Sequence, residues 1–311
     1  MDDPVIILGA PRSGTTLLAR IMGKSDEVFL ITEVSRHLKQ RNCPEDRSGL
    51  SDAELWRSHF TFRAWRADKP RPVCERPLFD LSKLASLRRR YFDMAGPKRL
   101  VIKNPFGLAR VDMLKTMFPK ALFVFALRAP WPTIRSATIK GNGAYIVPTE
   151  FVNSLPNDHV FRAAATWAEA IDVLTRERDA NWHVVRYEEL VARPHAVITE
   201  LYRRAGLTSD PTAVGATLLP EARVKDFSLI KYQMMRHPYR AQILGLLKER
   251  AEAFSYSADL SELRGNFVRY AFQTWLTPLH KLRKRMAPAT CASSAEVLAP
   301  TFQIQRQRDA A

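Results

Sequence analysis

Four short, largely apolar runs punctuate the chain, each closed by a polar residue or a glycine. Val5–Leu8 is largely β-branched and ends at Gly9; residues 100–102, Leu122–Leu127 and residues 183–185, within Trp182-His183-Val184-Val185-Arg186-Tyr187, follow the same pattern. Runs without polar alternation belong to strands buried on both faces, which is the condition of a parallel sheet. Between them, helical stretches fall at Thr15–Met22 and near residues 107–117, 130–140, 158–179 and 194–205. Strands alternating with helices predict an α/β fold with a central parallel sheet flanked by helices on both faces.

Residues 35–98 interrupt the alternation with basic, proline-punctuated sequence and two expected helices, near 51–66 and 80–95. They read as a helical insertion after the first strand and helix, and insertions in open parallel sheets lie near the ligand crevice. From about residue 241 the sequence is helical again, and Phe267, Val268, Ala271, Phe272, Trp275, Leu276 and Leu279 recur at helical spacing before Lys281-Leu282-Arg283-Lys284-Arg285. That stretch reads as a helix packed on the core with a solvated basic end, or as one lying on a membrane surface or a partner. The expected organisation is one α/β domain over residues 1–261 with its insertion, then a basic helical extension over 262–311 that ends in a tail from 287.

Charge narrows the partners. The chain has 311 residues, 48 Lys+Arg against 32 Asp+Glu, and a formal net charge of +16. Residues 35–98 carry a net +7 and residues 262–311 a net +5, whereas residues 1–34 are net −2. A basic excess attracts nucleic acid, anionic lipid or an anionic small molecule, and charge alone does not choose among them; its place in two segments apart from residues 1–34 suits a small molecule or a membrane surface, with no specific nucleic acid expected. Cys43, Cys74 and Cys291 form no CxxC pair and have no accompanying histidine spacing, so neither a disulfide framework nor a metal site is indicated. The acidic start Met-Asp-Asp-Pro is unlike a signal peptide, and nothing approaches the ~18 apolar residues of a spanning helix. The expected location is the cytoplasm, with peripheral contact at the inner membrane face through residues 265–285.

The chemistry begins at Gly9-Ala10-Pro11-Arg12-Ser13-Gly14-Thr15-Thr16, where two glycines join the first strand to the first helix. A loop in that context forms a concave site in which backbone N–H groups and the helix dipole receive an anion. Where a nucleoside triphosphatase has lysine, this chain has Thr15, and the nearest positive charge is Arg12. The other strands end in Lys103-Asn104, Arg128-Ala129 and Tyr187-Glu188, so Glu188 is the only acidic candidate for holding magnesium. The loop is suited to phosphate or sulfate and poorly provided for metal-assisted hydrolysis.

Pro11-Arg12-Ser13-Gly14-Thr15-Thr16-Leu17 resembles the 5′-phosphosulfate loop of sulfotransferases that use 3′-phosphoadenosine 5′-phosphosulfate (PAPS). Phe123-Val124-Phe125-Ala126-Leu127-Arg128-Ala129-Pro130, with Ser136 eight residues after the arginine, resembles that family's 3′-phosphate motif. Lys103-Asn104-Pro105-Phe106 is similar to the KxPF element of the tyrosylprotein-type enzymes, and Arg186-Tyr187-Glu188-Glu189-Leu190 with Pro194 to a later family element. The four occur in the family's order, over about residues 4–207.

The resemblance implies a three-layer, P-loop-like fold and PAPS-dependent O-sulfation without metal, leaving 3′-phosphoadenosine 5′-phosphate (PAP). It implies that Arg12, Ser13, Gly14, Thr15, Thr16 and Leu17 hold the 5′-phosphosulfate, with Arg12 and Lys103 steadying charge on the leaving phosphate. Arg128 and Ser136 would take the 3′-phosphate, and Tyr187 would contact the nucleotide. Glu33, at the end of Phe29-Leu30-Ile31-Thr32-Glu33 and 21 residues after Arg12, is the expected base; the apolar run before it would raise its pKa toward a useful value. His37, four residues on, is the alternative base.

The acceptor is expected to be a glycan, glycolipid or other lipid-linked or small-molecule alcohol. Trp56, Phe60, Phe62 and Trp65 in the insertion are available to stack on it, or pack the insertion's own helices, and a tyrosine acceptor stays open. The competing readings are a P-loop small-molecule kinase and a basic nucleic-acid- or membrane-binding module.

Overall fold

The computed structural model describes residues 3–32, 82–139, 156, 158–208, 228–261 and 263. They belong to one compact unit, Met1–Gly265. Five strands, β1 (Val5–Leu8), β2 (Val28–Thr32), β3 (Arg99–Lys103), β4 (Leu122–Leu127) and β5 (Trp182–Arg186), form one sheet in the order β2-β3-β1-β4-β5. Every pairing is parallel.

The helices are α1 (Thr15–Met22), α2 (Ser82–Ala95), α3 (Val111–Met117), α4 (Pro130–Ile139), α5 (His159–Glu177), α6 (Tyr187–Ala192), α7 (Pro194–Ala205), α8 (Ser228–Met235) and α9 (Arg240–Glu252). Side chains alternate across a strand, so the apolar runs feed two cores. Ile6, Leu8, Phe123, Phe125 and Leu127 face a cluster covered by α2 to α5, α8 and α9. Val5, Ile7, Val124 and Ala126 face another covered by α1 and α7, which are joined by Tyr202 donating to Ile21 O at 2.8 Å. This is the three-layer arrangement expected from the strand–helix alternation.

Three details differ from the expected elements. Val28–Thr32, anticipated only as an apolar run before Glu33, is an edge strand paired residue for residue with β3. The stretch 35–98 therefore follows a strand, and α2 is the crossover that parallel pairing of β2 with β3 requires. The helix expected at 107–117 divides into a 3-10 turn, Pro105–Arg110, and α3, because Pro105 fixes a tight first turn. The expected helix at 51–66, the basic stretch 265–285, the tail, Glu33 and His37 all lie outside the described residues.

Candidate active site

Strand β1 lies between β3 and β4, so the chain reverses direction across the sheet at the carboxyl end of β1. Such a switch point opens a crevice, and the loop at residues 9–14 sits in it. The loop takes backbone conformations that most residues avoid: φ is 144° at Gly9, 76° at Arg12 and 108° at Gly14. A Cβ on Gly9 would lie 2.6 Å from Ala126 O, and one on Gly14 2.8 Å from the Tyr187 ring. The loop can pass this close to β4 and Tyr187 only because both positions are glycine. Ser13 N–H donates to Ala10 O at 3.0 Å, closing the turn into α1.

Around the loop the carboxyl ends of other strands converge. Arg128, just past β4, donates from Nη1 to Arg12 O at 3.2 Å, and its guanidinium carbon lies 4.1 Å from the centroid of the Tyr187 ring. Arg12 in turn donates from Nε to Ser136 Oγ at 3.1 Å. Trp167 Nε1 fixes the Arg128 carbonyl at 2.9 Å. Burial pulls the Arg128 pKa below its ordinary value; Tyr187 and Glu188 oppose that shift, and Arg12 adds to it. Lys103 ends β3, in register with Ile7 on one side and Thr32 on the other, and is buried.

Two buried groups bear on what the crevice can hold. Ser13 is only 1% exposed, and its Oγ has no hydrogen-bond partner among the described residues; Arg128 Nε is buried in the same condition. Buried donors are ordinarily satisfied, so a hydroxyl and a guanidinium N–H left open beside a phosphate-type loop fit an oxyanion ligand. These residues fit the 5′-phosphosulfate and 3′-phosphate of PAPS.

The remaining expected residues divide. Thr15 is buried at the first turn of α1, Thr16 is exposed, and Leu17 packs against the α1–α7 cluster. Sequence reasoning did not find Tyr256, and it considered Glu188 only as a magnesium ligand. Glu188 instead accepts from Ala129 N–H at 3.0 Å through Oε1 and from Tyr256 O–H at 2.7 Å through Oε2. The motif around Tyr187 pointed to this region, but nothing in residues 240–260 indicated that they reach it.

The family described as the sulfotransferase family matches residues 4–211, two thirds of the chain. The chain belongs to the sulfotransferase family. It is similar to nodulation protein NoeE of Sinorhizobium fredii (strain NBRC 101917 / NGR234), with 26% identity over 227 residues, 67% of this chain and 50% of that protein. The chain thus spans about half the length of the curated relative it matches. Sulfotransferase STF9 from Mycobacterium avium superposes with a TM-score of 0.52 at 18% identity, covering 85% of this chain and 79% of that one. The sulfotransferase domain from the curacin biosynthetic pathway gives 0.50 at 17%, covering 83% and 99%. At such identities the structural likeness is one of fold. Sulfuryl transfer, with PAPS as donor and PAP as product, is what the sulfotransferase family implies.

Proposed function

We propose that this sulfotransferase transfers the sulfuryl group of PAPS in line to an acceptor hydroxyl on a glycan, glycolipid or other lipid-linked or small-molecule alcohol, with Glu33 as the base. The observation that carries the donor half is the pair of buried donors without a partner among the described residues, Ser13 Oγ within the loop and Arg128 Nε just past β4. PAPS supplies a sulfuryl group already bound to a phosphate leaving group. The loop amides, Ser13 and Thr15 receive that phosphate, while Arg128 and Ser136 receive the 3′-phosphate.

Lys103 and Arg12 oppose the negative charge that grows on the bridging oxygen as the bond to sulfur breaks. For Lys103, its position at the carboxyl end of β3, one strand from the loop, supports this role. Glu33 directly follows Thr32, the β2 residue in register with Lys103, and that connectivity supports Glu33 as the group that takes the acceptor's proton. His37 is the second candidate.

The acceptor class rests on the net +7 of residues 35–98 and on Trp56, Phe60, Phe62 and Trp65 among them. The net +5 of residues 262–311 supports peripheral contact with an anionic membrane face from the cytoplasm. Among the described residues, no helix is long and apolar enough to cross a membrane.

Transfer of labelled sulfate from PAPS to a panel of glycans, glycolipids, lipid-linked alcohols and tyrosine peptides tests the proposal. Labelling in at least one of the first three classes is expected; labelling of tyrosine peptides alone would overturn the acceptor assignment. Thermal stabilisation by PAP without magnesium is expected, and stabilisation only by ATP with magnesium would favour a kinase.

A further inference from the structure

The turn that carries Arg128 is held by groups from three separate parts of the chain. Its carbonyl is fixed by Trp167, and the next amide, Ala129 N–H, donates to Glu188 Oε1 at 3.0 Å. The other Glu188 oxygen accepts from Tyr256 O–H at 2.7 Å. Tyr256 is itself held in place: the Arg186 guanidinium carbon lies 4.7 Å from its ring centroid, and Arg186 Nη2 also donates to Phe254 O. On the far side, Trp131 Nε1, from α4, donates to Ala258 O at 3.0 Å.

We propose that Glu188 and Tyr256 are positioning residues for the donor: they clamp the turn after β4, so that residues 254–258, beyond the stretch 4–211 shared with the family, help set how tightly PAPS and PAP are held. A glutamate at a rim has several rotamers, and ordering it loses side-chain entropy. Tyr256 supplies the second hydrogen bond that selects one rotamer, and Glu188 passes that order to the amide next to Arg128. Glu188 also follows Tyr187, whose ring lies against the Arg128 guanidinium, so one dipeptide contacts both the side chain of Arg128 and the amide that follows it. The carboxylate sits at the amino end of α4, where the helix dipole favours a negative charge.

The proposal rests on the reading of Arg128 as a donor ligand, and calorimetric titration with PAP separates the two. Tyr256→Phe keeps the ring under Arg186 and removes only the hydroxyl; Glu188→Ala removes the bridge. Both are expected to weaken PAP binding by roughly fivefold, the scale of one lost hydrogen bond, with less than a twofold difference in affinity between them. In Tyr256→Phe the loss should appear chiefly in KM for PAPS and less in kcat. Glu188→Gln can accept from Ala129 N–H and donate to Tyr256 Oη, so it should restore affinity to within about twofold of wild type. If Arg128→Ala weakens PAP binding while Tyr256→Phe and Glu188→Ala bind as wild type, the clamp is wrong and the donor reading stands. The clamp is equally wrong if these variants lower only the melting temperature, or if Glu188→Gln is as weak as Glu188→Ala. Unaltered binding in Arg128→Ala would remove the donor reading, and the clamp with it.

Discussion

Arg12 Nε donates to Ser136 Oγ at 3.1 Å, joining the loop after β1 to the middle of α4 across 124 residues of sequence. The motif resemblance assigns these residues to opposite ends of the donor, yet they meet in one hydrogen bond. A hydroxyl that accepts from a guanidinium still has its own proton to give, so Ser136 can hold Arg12 and donate to a phosphate oxygen at once. Ser136→Ala should therefore weaken PAP binding by roughly fivefold and reduce the effect of a second substitution at Arg12. A double-mutant cycle with Arg12→Ala is expected to give a coupling of about 0.5–1.5 kcal/mol; strict additivity would mean that the bond contributes nothing to donor binding.

Arg128 makes two contacts, with the Arg12 carbonyl and the Tyr187 ring, and keeps a buried Nε–H without a partner among the described residues. Arg128→Ala should weaken PAP binding by about 1.5–3 kcal/mol, the range for hydrogen bonds to charged groups. Arg128→Lys should recover little of this, because an ammonium has neither the planar fork nor the face that lies against Tyr187. Titration of both variants with PAP checks the pair.

The sheet was readable in the sequence wherever a strand is buried on both faces. Val5–Leu8 and Leu122–Leu127 announce themselves because both neighbouring layers demand apolar side chains. Val28–Thr32, no shorter than Val5–Leu8, was missed as a strand because it leads into the basic stretch 35–98 and not into a helix of the strand–helix alternation that marks the other strands. The loop and Arg128 were legible because their glycines and charges are local to strand ends. Tyr256 was not, since its role depends on a bond to Glu188 across 68 residues and no pattern near residue 256 encodes that contact.

Gly14 shows how closely the loop is fitted. Its φ of 108° is strained for any residue with a Cβ, and that Cβ would lie 2.8 Å from the Tyr187 ring. Gly14→Ala should destabilise the fold by about 1–2 kcal/mol or more and push the ring away from Arg128, so that PAP affinity falls as well. Thermal denaturation and PAP titration of Gly14→Ala and of Gly14→Ala with Tyr187→Ala separate the two causes. The second substitution should relieve the clash but not the backbone strain, leaving part of the stability loss in place.

Burial first, and then the bond to Glu188, push the Tyr256 phenol well above its ordinary pKa. A group whose folded-state pKa exceeds its unfolded value contributes fully below the unfolded value, which is about 10 for a phenol. That contribution is lost as pH climbs toward the folded one. Between about pH 9 and about pH 11, wild type should therefore lose stability more steeply than Tyr256→Phe, which has no proton to release. Urea denaturation across that range checks the sign, and parallel profiles would show that the phenol is not held neutral by its surroundings.

Glu33 is the residue on which chemistry, as distinct from donor binding, is proposed to depend. It follows in sequence the last residue of β2, and β2 pairs with the strand that ends in Lys103, the proposed leaving-group cation. Glu33→Gln preserves size and hydrogen bonding but cannot take a proton. It should lower kcat by about 10²- to 10⁴-fold, the usual contribution of general base catalysis, while PAP affinity stays within about twofold of wild type. His37→Ala should leave most of the activity, since the imidazole is only the second candidate. Steady-state kinetics with PAP titration on the same preparations decides between them: near-normal turnover in Glu33→Gln together with collapse in His37→Ala would transfer the role to His37.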